Sequence, residues 1–126
     1  MQFTDISGGS GDLIDNIKFS GMLSVHWSDN FFMSNSKIHD NLISDDTIHI
    51  VHSKFAINNS IFDSCFSDCI DLDYATGRIS DSVIDGAGGD GIDLMRSNTV
   101  IEDSYINSAL DKGISVGEMS EIDINN

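Results

Sequence analysis

The residues of this chain with the most chemistry in them are aspartates, and they recur at a fixed step. Asp46, Asp68 and Asp90 stand 22 apart and lead to Lys112, while His49, Asp71 and Asp93 keep the same step and lead to Ser115. They sit in the phrases FSDCIDLD (66–73) and GGDGIDLM (88–95), echoed by LDKGISVG (110–117). Carboxylates gathered in this way can cap turns by accepting backbone N–H bonds two residues ahead. They can also hold calcium, which takes several carboxylate oxygens at once; Asp68, Asp71, Asp90 and Asp93 are the candidate ligands. A third use is catalysis, with one aspartate as general acid and another activating water. Asp71 and Asp93 are the catalytic candidates, with Arg96, Lys112 and His49 as nearby polar groups. Stacked carboxylates about 5 Å apart repel by about 0.8 kcal/mol in water and several-fold more where water is excluded. Something must therefore offset them, and turn capping is the simplest device.

Other residues are weaker signals. Trp27 aligns with Ile50 and Leu72, which places it inside with Phe31 and Phe32 or makes it a stacking platform for a sugar ring. Arg96 and Glu118 occupy equivalent places and form an exposed ion pair of small weight in this reading. Trp27 and Arg96 are thus the candidate ligand-binding residues. His49 and His52 are three apart and point to opposite faces of a strand, which argues against chelation. Cys65 and Cys69 read as two small buried thiols, because zinc needs more Cys or His at metal spacing.

The bulk properties exclude several partners. The 126 residues hold 21 Asp+Glu against 6 Lys+Arg, a net charge of −15. Nucleic acid and anionic lipid need clustered Lys and Arg, which are missing. No apolar run reaches membrane-spanning length. The opening MQFTDISGGSGD has neither the basic region nor the apolar stretch of a signal peptide.

The elements that must position the aspartates come from the repeat. The pair I-x-[IL] or its equivalent recurs at Ile48/Ile50, Ile70/Leu72, Ile92/Leu94 and Ile114/Val116, each 22 after the last, and Val25/Trp27 precedes the first by 23. Ile57, Ile79 and Ile101 keep the step, as do Phe62, Ile84 and Ile106, and Ser60, Ser82 and Ser104. Asn35-Ser36-Lys37-Ile38 matches Asn59-Ser60-Ile61-Phe62 in part, and Asn16-Ile17-Lys18-Phe19 more loosely. Alternation every two residues, separated by Gly, Asn, Asp and Ser, is the strand-and-turn pattern. The absence of proline suits a ladder in which nearly every N–H pairs. A strand-only unit of this length, one per turn, predicts an all-β fold: a short right-handed parallel β-helix of about five coils of 22–24 residues. One domain spans residues 1–126, either an uncapped stand-alone solenoid or a fragment of a longer chain. Stacked at the strand spacing, it stands about 20–25 Å tall.

The run from Ser67 to Ser120 resembles the right-handed parallel β-helix repeats of bacterial surface and secreted proteins, some of them linked to CotH-type kinase domains. Three phrases carry the likeness: Ser67-Asp68 to Asp73, Gly89-Asp90 to Asp93, and Asp111-Lys112-Gly113-Ile114-Ser115 to Glu118. It extends over about residues 23–120, and departs where Ala109-Leu110 precede Asp111 in place of a more usual glycine. The resemblance implies the fold, and a surface or secreted location if the chain is a fragment. It implies no activity.

Paired aspartates at Asp45-Asp46 are similar to those of polygalacturonases, but Asn-x-Asp, Gly-His-Gly and Arg-x-Lys are absent. A strict step also leaves no room for the loops of a catalytic groove. The sequence therefore favours a non-catalytic scaffold or binding module, with no required cofactor, self-associating through open coil ends or edges into a homo-oligomer. The alternative is a calcium-assisted β-helix that binds or cleaves a polysaccharide as a lyase or glycoside hydrolase.

Overall fold

The computed structural model describes residues 1–126, and it is an all-β solenoid of about five turns. A partial first coil holds β1 (Asp5–Ser7) and a side arm of β2 (Asp12–Ile14) and β3 (Ile17–Phe19). The next coils hold β4 (Gly21–His26), β5 (Phe31–Ser34), β6 (Lys37–His39), then β7 (Asp46–Val51), β8 (Lys54–Asn58), β9 (Ile61–Cys65). They continue with β10 (Asp68–Asp73), β11 (Thr76–Ser80), β12 (Val83–Ala87), then β13 (Ile92–Met95), β14 (Asn98–Glu102), β15 (Tyr105–Asn107). β16 (Ile114–Val116) and β17 (Glu121–Asn125) end the chain. From β4 on every third strand stacks in parallel, and β1 stacks on β6, so three five-stranded sheets enclose the core: β4-β7-β10-β13-β16, β5-β8-β11-β14-β17 and β1-β6-β9-β12-β15.

The repeat tracks become ladders. Ile48, Ile70, Ile92 and Ile114 are register partners, as are Ile57, Ile79 and Ile101 on the second sheet and Ile38, Phe62, Ile84 and Ile106 on the third. Nearly all of these side chains are fully buried, because the alternate residues of each strand point inward.

The corners explain the rest of the unit. Between the second and third sheets a single left-handed residue, Asn35, Asn59, Asp81 or Asp103, turns the chain, and a serine follows it. Asn and Asp tolerate this conformation better than other side-chain-bearing residues. Each serine hydroxyl donates to the carbonyl two residues back and accepts the N–H of its equivalent one coil earlier. Thus Ser82 Oγ bonds the Ser80 carbonyl at 2.7 Å and the Ser60 N–H at 3.1 Å, and Ser60 serves Ser36 likewise. The corner between the first and second sheets repeats the device at Ser53 and Ser97, interrupted by Ala75, while Ser120 accepts the Ser97 N–H but donates to the Leu94 carbonyl.

Three expectations need correction. Val25 pairs with Ile50 and Leu23 with Ile48, a step of 25, not 23. Relative to the next coil, one residue is added at the corner after β4 and two at the corner before β7. Trp27 consequently leaves the interior and stands at the corner, beside His52. The loosely matched Ile17–Phe19 is no solenoid strand; it pairs antiparallel with β2. Cys65 and Cys69 are not free thiols but a disulfide, because the corner between β9 and β10 brings their Cα atoms to 5.3 Å.

Ser82→Ala leaves the Ser60 N–H buried without its acceptor, and we expect a loss of about 1–3 kcal/mol in urea unfolding. The exposed Ser10→Ala changes it by less than about 0.5 kcal/mol. Equal effects from the two variants would show that the hydroxyl ladder does not hold the corner.

Candidate functional site: the covered acidic face

Outward-facing residues of the first sheet form a row of Ser24, His49, Asp71, Asp93 and Ser115. An outer face is ordinarily wet, yet His49 is only 8% exposed and Asp46 only 3%. The cover is the β2–β3 arm and the segment that returns from it. The arm turns at Asp15-Asn16, both left-handed, as a two-residue hairpin loop with the strand twist requires. It docks on the corner before β7 through the Gly11 N–H, which donates to Ser44 Oγ at 2.8 Å, and through Lys18, 3.3 Å from Asp45. Phe19 lies over His26 at 4.7 Å, and Ser20 reaches His49.

His49 is the hub. Its Nδ1 shares a hydrogen bond of 2.7 Å with Ser20 Oγ and stands 3.9 Å from Asp46. Its Nε2 lies 3.2 Å from Asp73 and 3.4 Å from Asp71. Burial drives Asp71 up to about 8, aided by the charges of Asp46, Asp73 and Asp93 against the opposing pull of His49. Burial also drives Asp46 up to about 6, against the pull of Ser20 and His49. For His49, burial works downward, but the Asp73 hydrogen bond and the charges of Asp71 and Asp46 outweigh it, so the imidazole holds its proton above 6.5. His26 is lowered by burial and by His49 and His52, and both of its ring nitrogens are buried without a partner.

The four candidate calcium ligands divide into two kinds. Asp68 Oδ1 accepts the Asp90 N–H at 2.7 Å, and Asp90 Oδ1 accepts the Lys112 N–H at 2.8 Å. These two are caps, but the capped N–H lies one coil on, not two residues ahead. Lys112 Nζ ends the series 3.5 Å from Asp90. Asp71 and Asp93 are register neighbours on the covered face. A buried carboxyl that keeps its proton near neutrality can act as an acid, and an adjacent carboxylate as its counterpart.

Trp27 and Arg96 fall in one ladder along the edge of this face. Trp27 stacks on His52 at 5.7 Å, His52 on Tyr74 at 4.5 Å, and the Arg96 guanidinium lies 5.5 Å from the Tyr74 ring centre. Arg96 therefore packs over Tyr74, and its link to Glu118 is a backbone bond between its N–H and the Glu118 carbonyl, not an ion pair. The rings cover one another's faces. Trp27, 65% exposed, keeps one face free of this stack.

Sequence reasoning placed Asp73 in a possible cluster near His49, as the structure does, but missed Ser20, the place of His26 and the burial of His49. The signal for the arm was present: two short runs of mostly apolar residues, DLI and IKF, flank Asp15-Asn16. Where the arm docks was not. Compared with family models, curated proteins and solved structures, the chain matches none.

Asp46, Asp71 and His49 bind protons more tightly folded than unfolded. Their stabilisation is complete below the unfolded values, 3.8 for the carboxyls and 6.5 for His49, and is lost as pH rises through the raised ones. His26 has the opposite sign and acts only below 6.5. In EDTA, Tm should fall by several degrees between about pH 5 and about pH 9, and Asp71→Asn should flatten the decline. A wild-type Tm that rises over this range would contradict the assignment.

Proposed function

We propose that the chain is a non-catalytic scaffold and binding module that associates with further copies through the open ends of its solenoid. The observation that supports it is the C-terminal end. β15, β16 and β17 are the last strands of their sheets, and each offers an unpaired edge. Around them Leu110, Val116, Met119 and Ile124 are exposed, and Ile114 and Ile122 are only partly covered. Unpaired parallel edges around an apolar mouth are the ordinary template for strand addition. The N-terminal end is similar, with Phe3 exposed and Ile6, Val25 and Phe31 partly covered above the core. A contact between unlike ends would be heterologous and would grow into a filament, whereas like ends would close a dimer. The Cys65–Cys69 disulfide suits an oxidising compartment, in line with a surface or secreted protein. No helix is long and apolar enough to cross a membrane.

A second reading has its own observation. The covered acidic face lies beside the free face of Trp27, an arrangement that fits a polysaccharide with calcium as a helper, or its cleavage with Asp71 as acid and Asp93 as the second carboxylate. It predicts new reducing or unsaturated ends from an acidic polysaccharide, lost in Asp71→Asn while the fold is kept.

Sedimentation over a concentration series tests the scaffold reading. The wild type should assemble as concentration rises, and the edge variants Val116→Lys and Ile124→Lys should stay monomeric with Tm nearly unchanged. A wild type that remains monomeric throughout would refute self-association.

A further inference from the structure

The covered face carries more ligand chemistry than a scaffold needs. Asp46, His49 and Asp71 each offer a ligand atom, and these atoms lie within 4.8 Å of one another. The His49 Nε2 is 3.4 Å from Asp71 and 3.2 Å from Asp73. Two ligands on one tetrahedral cation, at bond lengths of roughly 2.0–2.2 Å, stand roughly 3.4 Å apart. The Ser20 hydrogen bond on Nδ1 fixes the ring and leaves Nε2 toward Asp71 and Asp73, as an outer partner does for a ligating imidazole.

An independent observation comes from His26. Its ring meets His49 edge-on at 5.7 Å, and its two nitrogens are buried with no hydrogen-bond partner. Buried polar atoms are rarely left so, and a missing ion or water is among the ordinary explanations. Charge supplies a third argument. Asp46, Asp71 and Asp73 all lie within 3.9 Å of one imidazole in a partly desolvated place, so either protons or a cation must offset them.

We propose that Asp46, His49 and Asp71 bind a divalent first-row transition cation of the zinc class, with Asp73 and His26 beside it. An imidazole with carboxylates suits zinc and its neighbours, whereas calcium takes oxygen ligands alone. The site shares only Asp71 with the calcium set, since Asp68 and Asp90 are engaged as caps. It goes beyond the scaffold reading and does not depend on it.

The test titrates Zn2+ into the EDTA-stripped full chain, followed by calorimetry and by NMR of the imidazole nitrogens. One equivalent should bind, the His49 signals should move to saturation, and those of His26 should follow. His49→Gln should weaken binding at least by the roughly 10–100-fold that loss of even an outer partner costs. His39→Ala, which removes a half-buried imidazole between Asp5 and Asp40 away from this face, should leave binding unchanged. If His49→Gln does not fold, the wild-type NMR alone decides. Absence of binding, movement of His39 alone, loss of binding in His39→Ala, or equal competition by Ca2+ would each overturn the proposal.

Discussion

In a parallel solenoid each residue lies over its own equivalent one strand spacing away, and the rest of this structure follows from that constraint. Like meets like at about 4.8 Å along every ladder. For isoleucine this is favourable, since identical side chains pack in the same rotamer and exclude water. For serine it becomes a hydrogen-bonded corner, with each hydroxyl serving its own turn and the coil before it. For His52 and Tyr74 it becomes ring stacking at 4.5 Å. For aspartate it is a liability, because repulsion at this distance grows as water is removed.

The chain handles that liability in two ways. Asp68 and Asp90 turn their carboxylates onto the N–H of the next coil, so that the backbone supplies the positive end of a dipole, and Lys112 closes the series with a cation. On the outer face His49 replaces aspartate in the row, and the β2–β3 arm covers it. Covering raises the cost of every charge beneath it, so Asp71 and Asp46 give up their protons only at higher pH than ordinary carboxyls, at about 8 and about 6. An arm that only shielded apolar surface would not need a serine on an imidazole. This one orients His49 toward two carboxylates, Asp71 and Asp73.

How much of this was legible follows from the same constraint. The ladders of Ile70, Ile92 and Ile114 and of Ser60, Ser82 and Ser104 were readable because their step does not vary, and the fold came with them. The first full coil was harder, since three extra residues at its corners shift Val25 onto Ile50 and put Trp27 outside. A 23-residue step was wrong by two residues, and an even slip keeps Val25 on the inner face but carries Trp27 past the end of β4 onto the corner. The Cys65–Cys69 pairing depends on the geometry of one corner, which spacing alone does not give. The register of His49 with Asp71 was readable, but its burial was not, because it depends on an arm that docks from 29 residues away.

His49 is the charged hub of the covered face, and a side-chain NMR titration of its imidazole in EDTA measures this directly. We predict that His49 stays protonated above 6.5, with both ring N–H groups protected from exchange by Ser20 and Asp73. An imidazole that titrates at or below that value with rapidly exchanging protons would mean that the arm does not cover the face, and that the acidic row is ordinary solvated surface.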